Sequence, residues 1–333
     1  MRPLKIKFLW SAVFALFTQR YSTVTLTRLF SQKNSMDDKN IKLPSRPQSP
    51  SDEDCCNSAC ELCVKDIYQQ ELKIWEAECE RMLLKEAPAS TLNPSSYTQC
   101  KITQVKQITH NTKLFTFDCR GYVKILPGQH MILRERAGSV NVTRQYTPIV
   151  VPTSSNFTFT VMIKLYEEGI MSQAIAQRWC VDYEAEWRGP YGLFLHDENR
   201  YMKYVMVAAG TGIAPMLRIA SQIVENENDI TTIKLLYGCC TYDQILRKET
   251  IKMLCQHWNF SCKYFLSDDD ELEKKLAYGD NAVSRRIMVD DLRNEIVKPA
   301  STRVLVCGTR QFDSSILGFL SEIGVPPDNI HKF

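Results

Sequence analysis

One short stretch, residues 144–147, combines side chains that suit a flat, phosphate-bearing cofactor. It reads Arg144, Gln145, Tyr146 and Thr147. The planar guanidinium of Arg144 suits a pyrophosphate. The Tyr146 ring can lie against the isoalloxazine face of a flavin, and the Thr147 hydroxyl or nearby backbone can donate toward its N5 edge. Alone, the motif is weak, because a generic strand edge often contains such a combination.

Three neighbouring blocks make this interpretation more specific. Residues 126–130 (Leu-Pro-Gly-Gln-His) precede the motif, and residues 163–172 follow it and lead into a helix predicted over 173–179. The exposed amides of a helix N-terminus bind phosphate. Residues 188–194 (Arg-Gly-Pro-Tyr-Gly-Leu-Phe) complete the set.

A second phosphate site is predicted in the C-terminal half. The apolar run 204–209 leads to Gly210, Thr211 and Gly212, and a helix is predicted over 217–224. A buried strand, a glycine turn and a helix are the parts of a dinucleotide site. The glycines let backbone amides approach phosphates, and the helix dipole favours the negative charge. Gly-Thr-Gly is a weaker signal than the six-residue glycine fingerprint.

Two kinds of sheet are predicted to position these residues. Residues 98–198 contain short strands with period-two patterning, separated by turn signals, which indicates a small antiparallel barrel. Residues 200–333 alternate strands with helices, which indicates a parallel sheet. The predicted strands are 204–209, 233–237, 262–266 and 304–306, and the helices are 217–224, 243–255 and 311–323.

The pair Cys307-Gly308 follows the last of these predicted strands. Ligand sites in parallel sheets lie at the carboxyl ends of strands. The glycine turn and the Cys-Gly pair both occupy such ends, so we expect them to face one cleft.

A cysteine cluster near the N-terminus predicts a metal site or a purely structural segment. Cys55, Cys56, Cys60 and Cys63 have spacings that a tight turn could bring to one ion. The pattern lacks the long separation between two Cys-x-x-Cys pairs that makes a zinc site convincing, so both alternatives stay open. An amphipathic helix of about six turns is predicted after it. This segment resembles the oxidoreductase-like N-terminal module, whose biochemical role is not established.

Composition and the N-terminal leader limit the class of protein. The chain has 333 residues, is 44% hydrophobic and carries a net charge of +3, which is too balanced for a typical nucleic-acid binder. No acidic residue precedes Asp37, and residues 1–36 have the basic, Ser-rich composition of a mitochondrial transit peptide. Two alternatives stay open: a secretory signal or anchor at residues 8–17, which places the protein at the endoplasmic reticulum membrane, and a cytoplasmic form starting at Met36. Membrane contact is expected at most through this leader.

In this order the blocks resemble the ferredoxin reductase superfamily, and most closely NADH–cytochrome b5 reductase, over about residues 98–333. The resemblance implies that Arg144 and Ser172 meet the pyrophosphate of FAD. It also implies that Tyr146 and Thr147 meet the flavin ring, that Cys307 packs beside the nicotinamide of NADH, and that Thr147 and Cys307 are catalytic. The implied cofactor-binding set is Arg144, Gln145, Tyr146, Thr147, Met162, Lys164, Tyr166, Gly169, Ile170, Met171, Ser172, Gly210, Thr211, Gly212, Pro215, Cys307, Gly308 and Phe333.

Several positions depart from the family pattern. Gln145 replaces a proline, Ala209 replaces a glycine, and residues 309–312 (Thr-Arg-Gln-Phe) replace a Pro-rich stretch. The adenine-side Asp aligns near residues 267–270, whose three carboxylates should repel the 2′-phosphate of NADPH. The pair Arg285-Arg286 could reverse that preference.

The resulting expectation is an α+β protein of two main domains. A six-stranded antiparallel FAD-binding barrel (98–198) precedes an α/β parallel-sheet NAD-binding domain (200–333). Before them come a leader (1–36), a disordered linker (37–54) and a Cys-rich helical module (55–90). The expected activity is transfer of hydride from NADH to FAD and then of single electrons to a haem protein. The resemblance implies that this haem protein is cytochrome b5. The alternatives are an iron–sulfur or quinone acceptor, or a degenerate flavoprotein that serves as a metal-binding or assembly partner.

Overall fold

The computed structural model describes residues 46–49, 68–69, 71–73, 75–76, 91–121, 123–138, 140–150 and 158–333. The leader, most of the linker and the four N-terminal cysteines lie outside these residues, so what the sequence predicts for them stays a prediction. Of the helix predicted after the cysteines, the described positions between 68 and 76 are helical. Glu71 in this helix forms an ion pair with Arg188 (3.3 Å), so the helix contacts the body that follows.

The N-terminal sheet is antiparallel and has seven strands in the order β4-β3-β7-β1-β2-β6-β5. These strands are β1 (Thr98–Thr109), β2 (Thr112–Asp118), β3 (His130–Ala137), β4 (Val140–Tyr146), β5 (Pro148–Val150), β6 (Thr158–Lys164) and β7 (Glu184–Tyr191), and helix α1 (Ile170–Arg178) joins β6 to β7.

Closure of this sheet into a barrel follows from its strand order. Strands β4 and β5 are its two edges, yet only Thr147 separates them in the chain. Two edges joined by a single residue must lie close together, so the sheet curls round on itself. The sequence predicts six strands, and the seventh arises because the segment around Thr147 contributes to both edges.

Aromatic rings from alternating strand positions fill the barrel. Trp187 is fully buried, and its ring centroid lies 5.0 Å from that of Phe117 and 5.3 Å from that of Phe159. Both pairs meet edge to face, which is the arrangement that the ring quadrupoles favour. Along β7, buried residues alternate with more exposed ones, in agreement with the period-two pattern.

One carboxylate is buried in the barrel wall. Glu135 is 4% exposed and accepts hydrogen bonds from the indole N–H of Trp179 (2.6 Å) and the hydroxyl of Tyr183 (2.9 Å). It also pairs with Arg178 at 2.7 Å. Because these partners belong to α1 and the segment after it, Glu135 fastens that segment to β3.

The C-terminal sheet is parallel, with six strands in the order β11-β10-β9-β8-β12-β13. The strands are β8 (Lys203–Ala209), β9 (Thr232–Cys239), β10 (Phe260–Leu266), β11 (Ala282–Val283), β12 (Thr302–Cys307) and β13 (Ile330–Lys332). The helices are α2 (Ile213–Val224), α3 (Lys248–Leu254), α4 (Leu272–Lys275), α5 (Val289–Glu295) and α6 (Arg310–Ile323). No helix in the described part of the chain is long and apolar enough to cross a membrane.

The predicted helix over 243–255 is wrong in its first turn. A 3-10 turn at Tyr242–Gln244 comes first, and α3 begins only at Lys248. Arg247 has a φ of 57°, in the left-handed region, so a continuous right-handed helix cannot pass through it.

Barrel and parallel sheet share one hydrophobic core. Ile149 and Met162 of the barrel belong to the same buried cluster as Ile213 and Leu217 of α2. Arg218 of α2 also donates to the carbonyl of Ile125 (2.7 Å). Burial lowers the pKa of Arg218 to about 10, so this guanidinium stays charged at neutral pH.

Removal of the buried carboxylate should destabilise the barrel. We expect Glu135→Ala to lower the free energy of unfolding by about 3 kcal/mol, because it leaves Arg178 without its counter-ion and the Trp179 indole N–H without its acceptor. Urea unfolding followed by tryptophan fluorescence measures this change. Glu184→Ala is the matched control, since Glu184 forms an exposed pair with Arg120, and such pairs contribute about 0–1 kcal/mol. Equal effects of the two substitutions would contradict the assigned role of Glu135.

Candidate active site

Arg144 lies near the end of β4, where the barrel closes. It pairs across the ladder with Leu133, and its side chain is exposed. Within the described residues, its guanidinium has one hydrogen bond, to the carbonyl of Thr143 (2.7 Å), and no ion pair with a carboxylate. The charge of Arg144 is therefore available to an anionic ligand. Gln145 lies in the same ladder opposite Ile132, so the loss of the family proline leaves the strand intact.

Tyr146 is the most enclosed member of the motif. Its ring packs edge-on against Trp187, with centroids 6.0 Å apart. Burial raises the pKa of Tyr146 to about 12; Arg144 acts in the opposite direction and Tyr166 in the same one. Arg144 and Tyr166 therefore lie close enough to Tyr146 to affect its pKa. The ammonium of Lys164 lies 5.6 Å from the Tyr166 ring centroid, so the structure brings these four predicted residues together.

The N-terminus of α1 is the second part of this site. The helix begins at Ile170, three residues before the predicted start, so Ile170, Met171 and Ser172 form its first turn. Gly169 provides no side-chain cap, and the first turn contains no acidic residue. The amides of this turn lack intrahelical acceptors, which suits an anion.

Ser172 contributes a hydroxyl at the same place. The residue is 7% exposed, and a Cβ built on Gly169 would lie 2.9 Å from its Oγ. The hydroxyl therefore folds back over the start of the helix. Met171 is buried in the barrel core and Ile170 is exposed, so these two contribute to an anion site through their backbone.

The glycine turn follows β8 directly. Gly210–Gly212 form one 3-10 turn, and α2 begins at Ile213, four residues before the predicted start. Gly210 has a φ of 53° and open space where a Cβ would stand. Tyr237 donates its hydroxyl hydrogen to the Gly210 carbonyl (2.9 Å), which fixes the turn. Thr211 lies within the turn. Pro215 is the third residue of α2, where a backbone N–H would have no acceptor within the helix, so proline breaks no hydrogen bond there.

The glycine turn and the Cys-Gly pair touch each other. Cys307 pairs with Ala208 on the neighbouring strand, and a Cβ on Gly212 would lie 2.1 Å from the Cys307 carbonyl oxygen. Only glycine fits at position 212. The predicted meeting of the two motifs at one edge of the sheet is therefore what the structure shows.

Cys307 and Gly308 end β12 and begin the turn before α6. Burial, and secondarily the Asp313 carboxylate, raise the pKa of the Cys307 thiol to about 12. The thiol is protonated at neutral pH, which suits a packing contact rather than a nucleophile. A Cβ on Gly308 would lie 2.3 Å from the Phe312 ring, so Phe312, where the family has its Pro-rich stretch, covers this glycine.

Phe333 packs where the two domains meet. Its amide donates to the Val306 carbonyl (3.0 Å), and its ring centroid lies 4.5 Å from that of His331 and 5.5 Å from that of Phe194. Its side chain packs against the core cluster that contains Met162. Phe333 and Met162 therefore lie at the seam between the two domains.

The acidic loop of residues 267–270 is only partly available to a nucleotide. Asp269 is buried, and its carboxylate accepts the Tyr242 amide hydrogen (2.7 Å) and pairs with Lys275 (3.5 Å). The Asp269 carboxylate therefore stabilises the loop in which it lies and is not available to a nucleotide. Asp268 and Asp270 are exposed and remain to repel a 2′-phosphate.

The neighbouring arginine pair is also less available than the sequence suggests. Both terminal nitrogens of Arg285 donate to the carboxylate of Asp291, at 2.6 and 2.8 Å. This bidentate pair occupies the guanidinium that could otherwise attract a 2′-phosphate. Arg286 is exposed.

Among the described residues, no group of three His, Cys, Asp or Glu side chains could hold a metal ion. The predicted ligands Cys55, Cys56, Cys60 and Cys63 lie outside the described part of the chain.

Sequence reasoning missed two residues at this seam. Arg218 and Asp313 both pack at or beside the cleft. Asp313 had a usable signal, because an acidic residue five positions after a strand-end Cys-Gly pair falls in the first turn of the next helix. Arg218 carried no local signal, since its partners lie far away in the chain. Phe194 belongs to the predicted block 188–194, and its ring contacts Phe333.

Comparison with known protein families identifies three segments. The FAD-binding domain of oxidoreductases matches residues 99–196, and the NAD-binding domain of oxidoreductases matches residues 206–316. The N-terminal domain of oxidoreductase-like proteins matches residues 39–83.

Individual relatives agree with this division. The human NADH-cytochrome b5 reductase-like protein is 33% identical over 86% of this chain and 94% of its own length. NADH-cytochrome b5 reductase 1 of Dictyostelium discoideum is 32% identical over 73% of this chain and 83% of its own. The fold is that of the cytochrome b5 reductase domain of Ulva prolifera nitrate reductase, with a TM-score of 0.64 and 22% identity over 74% of this chain and all of that domain.

The site thus joins a helix end without a side-chain cap and a guanidinium without a described carboxylate partner, both on an FAD-binding barrel, to a glycine turn on an NAD-binding sheet. The chain belongs to the NADH–cytochrome b5 reductase-like family of FAD- and NAD-binding oxidoreductases.

Proposed function

We propose that this protein takes hydride from NADH onto FAD and passes single electrons to a haem protein, with cytochrome b5 as the acceptor. The observation that carries the proposal is the contact of Gly212 with Cys307, because it brings the glycine turn and the Cys-Gly pair together at one edge of the parallel sheet. The oxidoreductase family and its two cofactor domains support the first half. The names of the relatives support cytochrome b5 as the acceptor.

The residues at the seam fit FAD. Arg144 offers a guanidinium without a described carboxylate partner, and the first turn of α1 offers amides without a cap. Arg144 and Ser172 would hold the pyrophosphate of FAD, with Gly169 allowing close approach. Tyr146, Lys164 and Tyr166 would lie beside the flavin ring.

FAD, when bound, accepts a hydride and can release electrons one at a time. The protein's part is to hold the two ring systems against each other and exclude water. Thr147 would direct its hydroxyl or backbone toward the N5 edge of the flavin. Cys307, as a protonated thiol, would pack beside the nicotinamide, and Phe333 would close the seam.

The nucleotide side of the site favours NADH over NADPH. Gly210, Thr211 and Gly212 would bring amides to the NADH pyrophosphate, at the N-terminus of α2. Exposed Asp268 and Asp270 would repel a 2′-phosphate, while Arg285 is occupied by Asp291.

The proposal is tested most directly by purified full-length protein. It should carry a flavin spectrum that bleaches when NADH is added without oxygen, and it should then reduce cytochrome b5. A ferredoxin and a quinone, assayed in parallel, identify another acceptor if cytochrome b5 is reduced more slowly than either. A colourless protein that does not take up added FAD would contradict the proposal and favour a degenerate flavoprotein.

The FAD site is tested by removal of its free cation. We expect Arg144→Ala to weaken FAD binding by about 10- to 100-fold, because hydrogen bonds to charged groups are worth about 1.5–3 kcal/mol. Fluorescence titration of the apoprotein with FAD measures this change. Arg120→Ala is the control, since Arg120 is an exposed barrel arginine paired with Glu184. An unchanged FAD affinity in Arg144→Ala would argue against this pyrophosphate site.

The nucleotide site is tested at the closest contact. In Gly212→Ala the new methyl group must push the Cys307 carbonyl away, and we expect kcat/KM for NADH to fall by roughly 100-fold with FAD content unchanged. Gly318→Ala is the control, because nothing lies within 4 Å of a Cβ at that position on α6. If Gly212→Ala reduced its flavin as fast as Gly318→Ala, the assigned nucleotide site would be wrong.

A further inference from the structure

A buried carboxylate lies behind the Cys307-Gly308 turn. Asp313 is 8% exposed and lies in the first turn of α6, where the backbone N–H of Gly308 lowers the pKa of its carboxyl group. Its Oδ1 is buried and has no hydrogen-bond partner within the described chain. It also raises the pKa of Cys307, so its charge acts on the thiol beside the proposed nicotinamide position.

The helix that packs against α6 offers this carboxylate no counter-charge. On α5, Arg293 pairs with Asp290 and with Glu322. The acidic residues of that helix, Asp291 and Glu295, have cationic partners of their own.

Groups on β12 and on α6 itself leave the carboxylate equally unpaired. Arg303, near the start of β12, donates to the Asp328 carbonyl at the opposite end of that strand from Cys307. Arg310 lies on the same helix as Asp313 and is exposed, and no ion pair between the two occurs in the described structure. At the turn itself, the titratable group on which Asp313 acts is the Cys307 thiol, which is protonated at neutral pH.

A cation of suitable chemistry is expected at this place. The dihydronicotinamide ring of NADH is neutral. When its C4–H bond breaks and the hydride leaves with both electrons to reduce FAD, the nicotinamide ring is oxidised to a pyridinium cation. That cation would form next to the Cys307-Gly308 turn, on the proposed function. A carboxylate behind the turn interacts more favourably with the pyridinium than with the neutral ring.

We propose that Asp313 is a positioning residue that fixes the Cys307-Gly308 turn and supplies the negative charge by which the site favours the oxidised over the reduced nicotinamide. The inference rests on the proposed function, because it places a nicotinamide at this turn. It assigns Asp313 a role in how strongly each redox state of the nucleotide is held.

The charge of Asp313 can be switched with pH. Burial raises its pKa to about 6, while the Gly308 amide acts in the opposite direction. The folded protein therefore holds this proton more tightly than the unfolded chain does, and the charge costs stability as pH rises through about 6. A bound pyridinium would offset that cost, so binding of NAD+ should release a proton near this pH.

The test compares two nucleotides that differ in ring charge. Isothermal titration of the FAD-loaded protein measures the affinities of NAD+ and of 1,4,5,6-tetrahydro-NAD, which has a neutral ring and donates no hydride. In the wild type, the ratio of the two affinities should change about tenfold in favour of NAD+ between pH 5 and pH 7.5. Titrations in two buffers at pH 5.5 should show release of about half a proton on NAD+ binding and none with the neutral analogue.

Two variants separate charge from structure. Asp313→Asn keeps an acceptor for the Gly308 amide but lacks the charge, so its affinity ratio should not depend on pH. Asp313→Glu should restore part of the dependence. Glu322→Gln is the control, because Glu322 is an exposed carboxylate at the far end of the same helix, and it should behave as the wild type.

The outcomes distinguish this inference from the proposed function. A wild-type ratio that is independent of pH, without proton release, would overturn the role of Asp313 while NADH still bleaches the flavin. If neither nucleotide binds and NADH does not bleach the flavin, the proposed function itself fails. Should Asp313→Asn not fold, the wild-type ratio and proton release alone decide.

Discussion

The catalytic body depends on one geometric constraint: a single residue, Thr147, separates the strands at the two edges of the barrel. This junction closes the barrel, and it also fixes the positions of the residues that precede and follow Thr147 in the chain. Toward the N-terminus lie Arg144 and Tyr146, which belong to the proposed FAD site. Toward the C-terminus, Pro148 and Ile149 are buried, and Ile149 joins the core that it shares with α2. A cofactor motif and a domain contact therefore occupy six consecutive residues, and neither can move without the other.

The nucleotide side is positioned by burial in the same way. The glycine turn begins α2, and α2 packs on the barrel through the shared core and through Arg218. The close approach of Gly212 to Cys307 then fixes the second strand end relative to the first. Apolar contacts and a few hydrogen bonds to backbone carbonyls thus set the distance between the two proposed phosphate sites, which lie far apart in the chain.

Strong local patterns predicted the architecture well. The apolar run before Gly210 and the period-two patterning of residues 98–198 predicted the two kinds of sheet, and the motifs contained residues that the fold brings together. Helix starts were less accurate, because a glycine directly precedes each of α1 and α2 and a proline lies in the first turn of α2. The left-handed Arg247 carries no sequence signal. The charges near the adenine side were misjudged most: Asp269 is satisfied by the Tyr242 amide, 27 residues away, a contact that local sequence cannot reveal.

The shared core also bears on how the molecule unfolds. Met162 and Ile149 are covered by the parallel sheet's own helix, and Ile213 and Leu217 are covered in return. A gene fragment encoding either half alone would present these side chains to water as a contiguous apolar face, which favours aggregation. The boundary near residue 200 that divides the two halves in sequence is therefore not a boundary between independent folding units. Heat should melt them in one cooperative transition, and calorimetry should record a single endotherm.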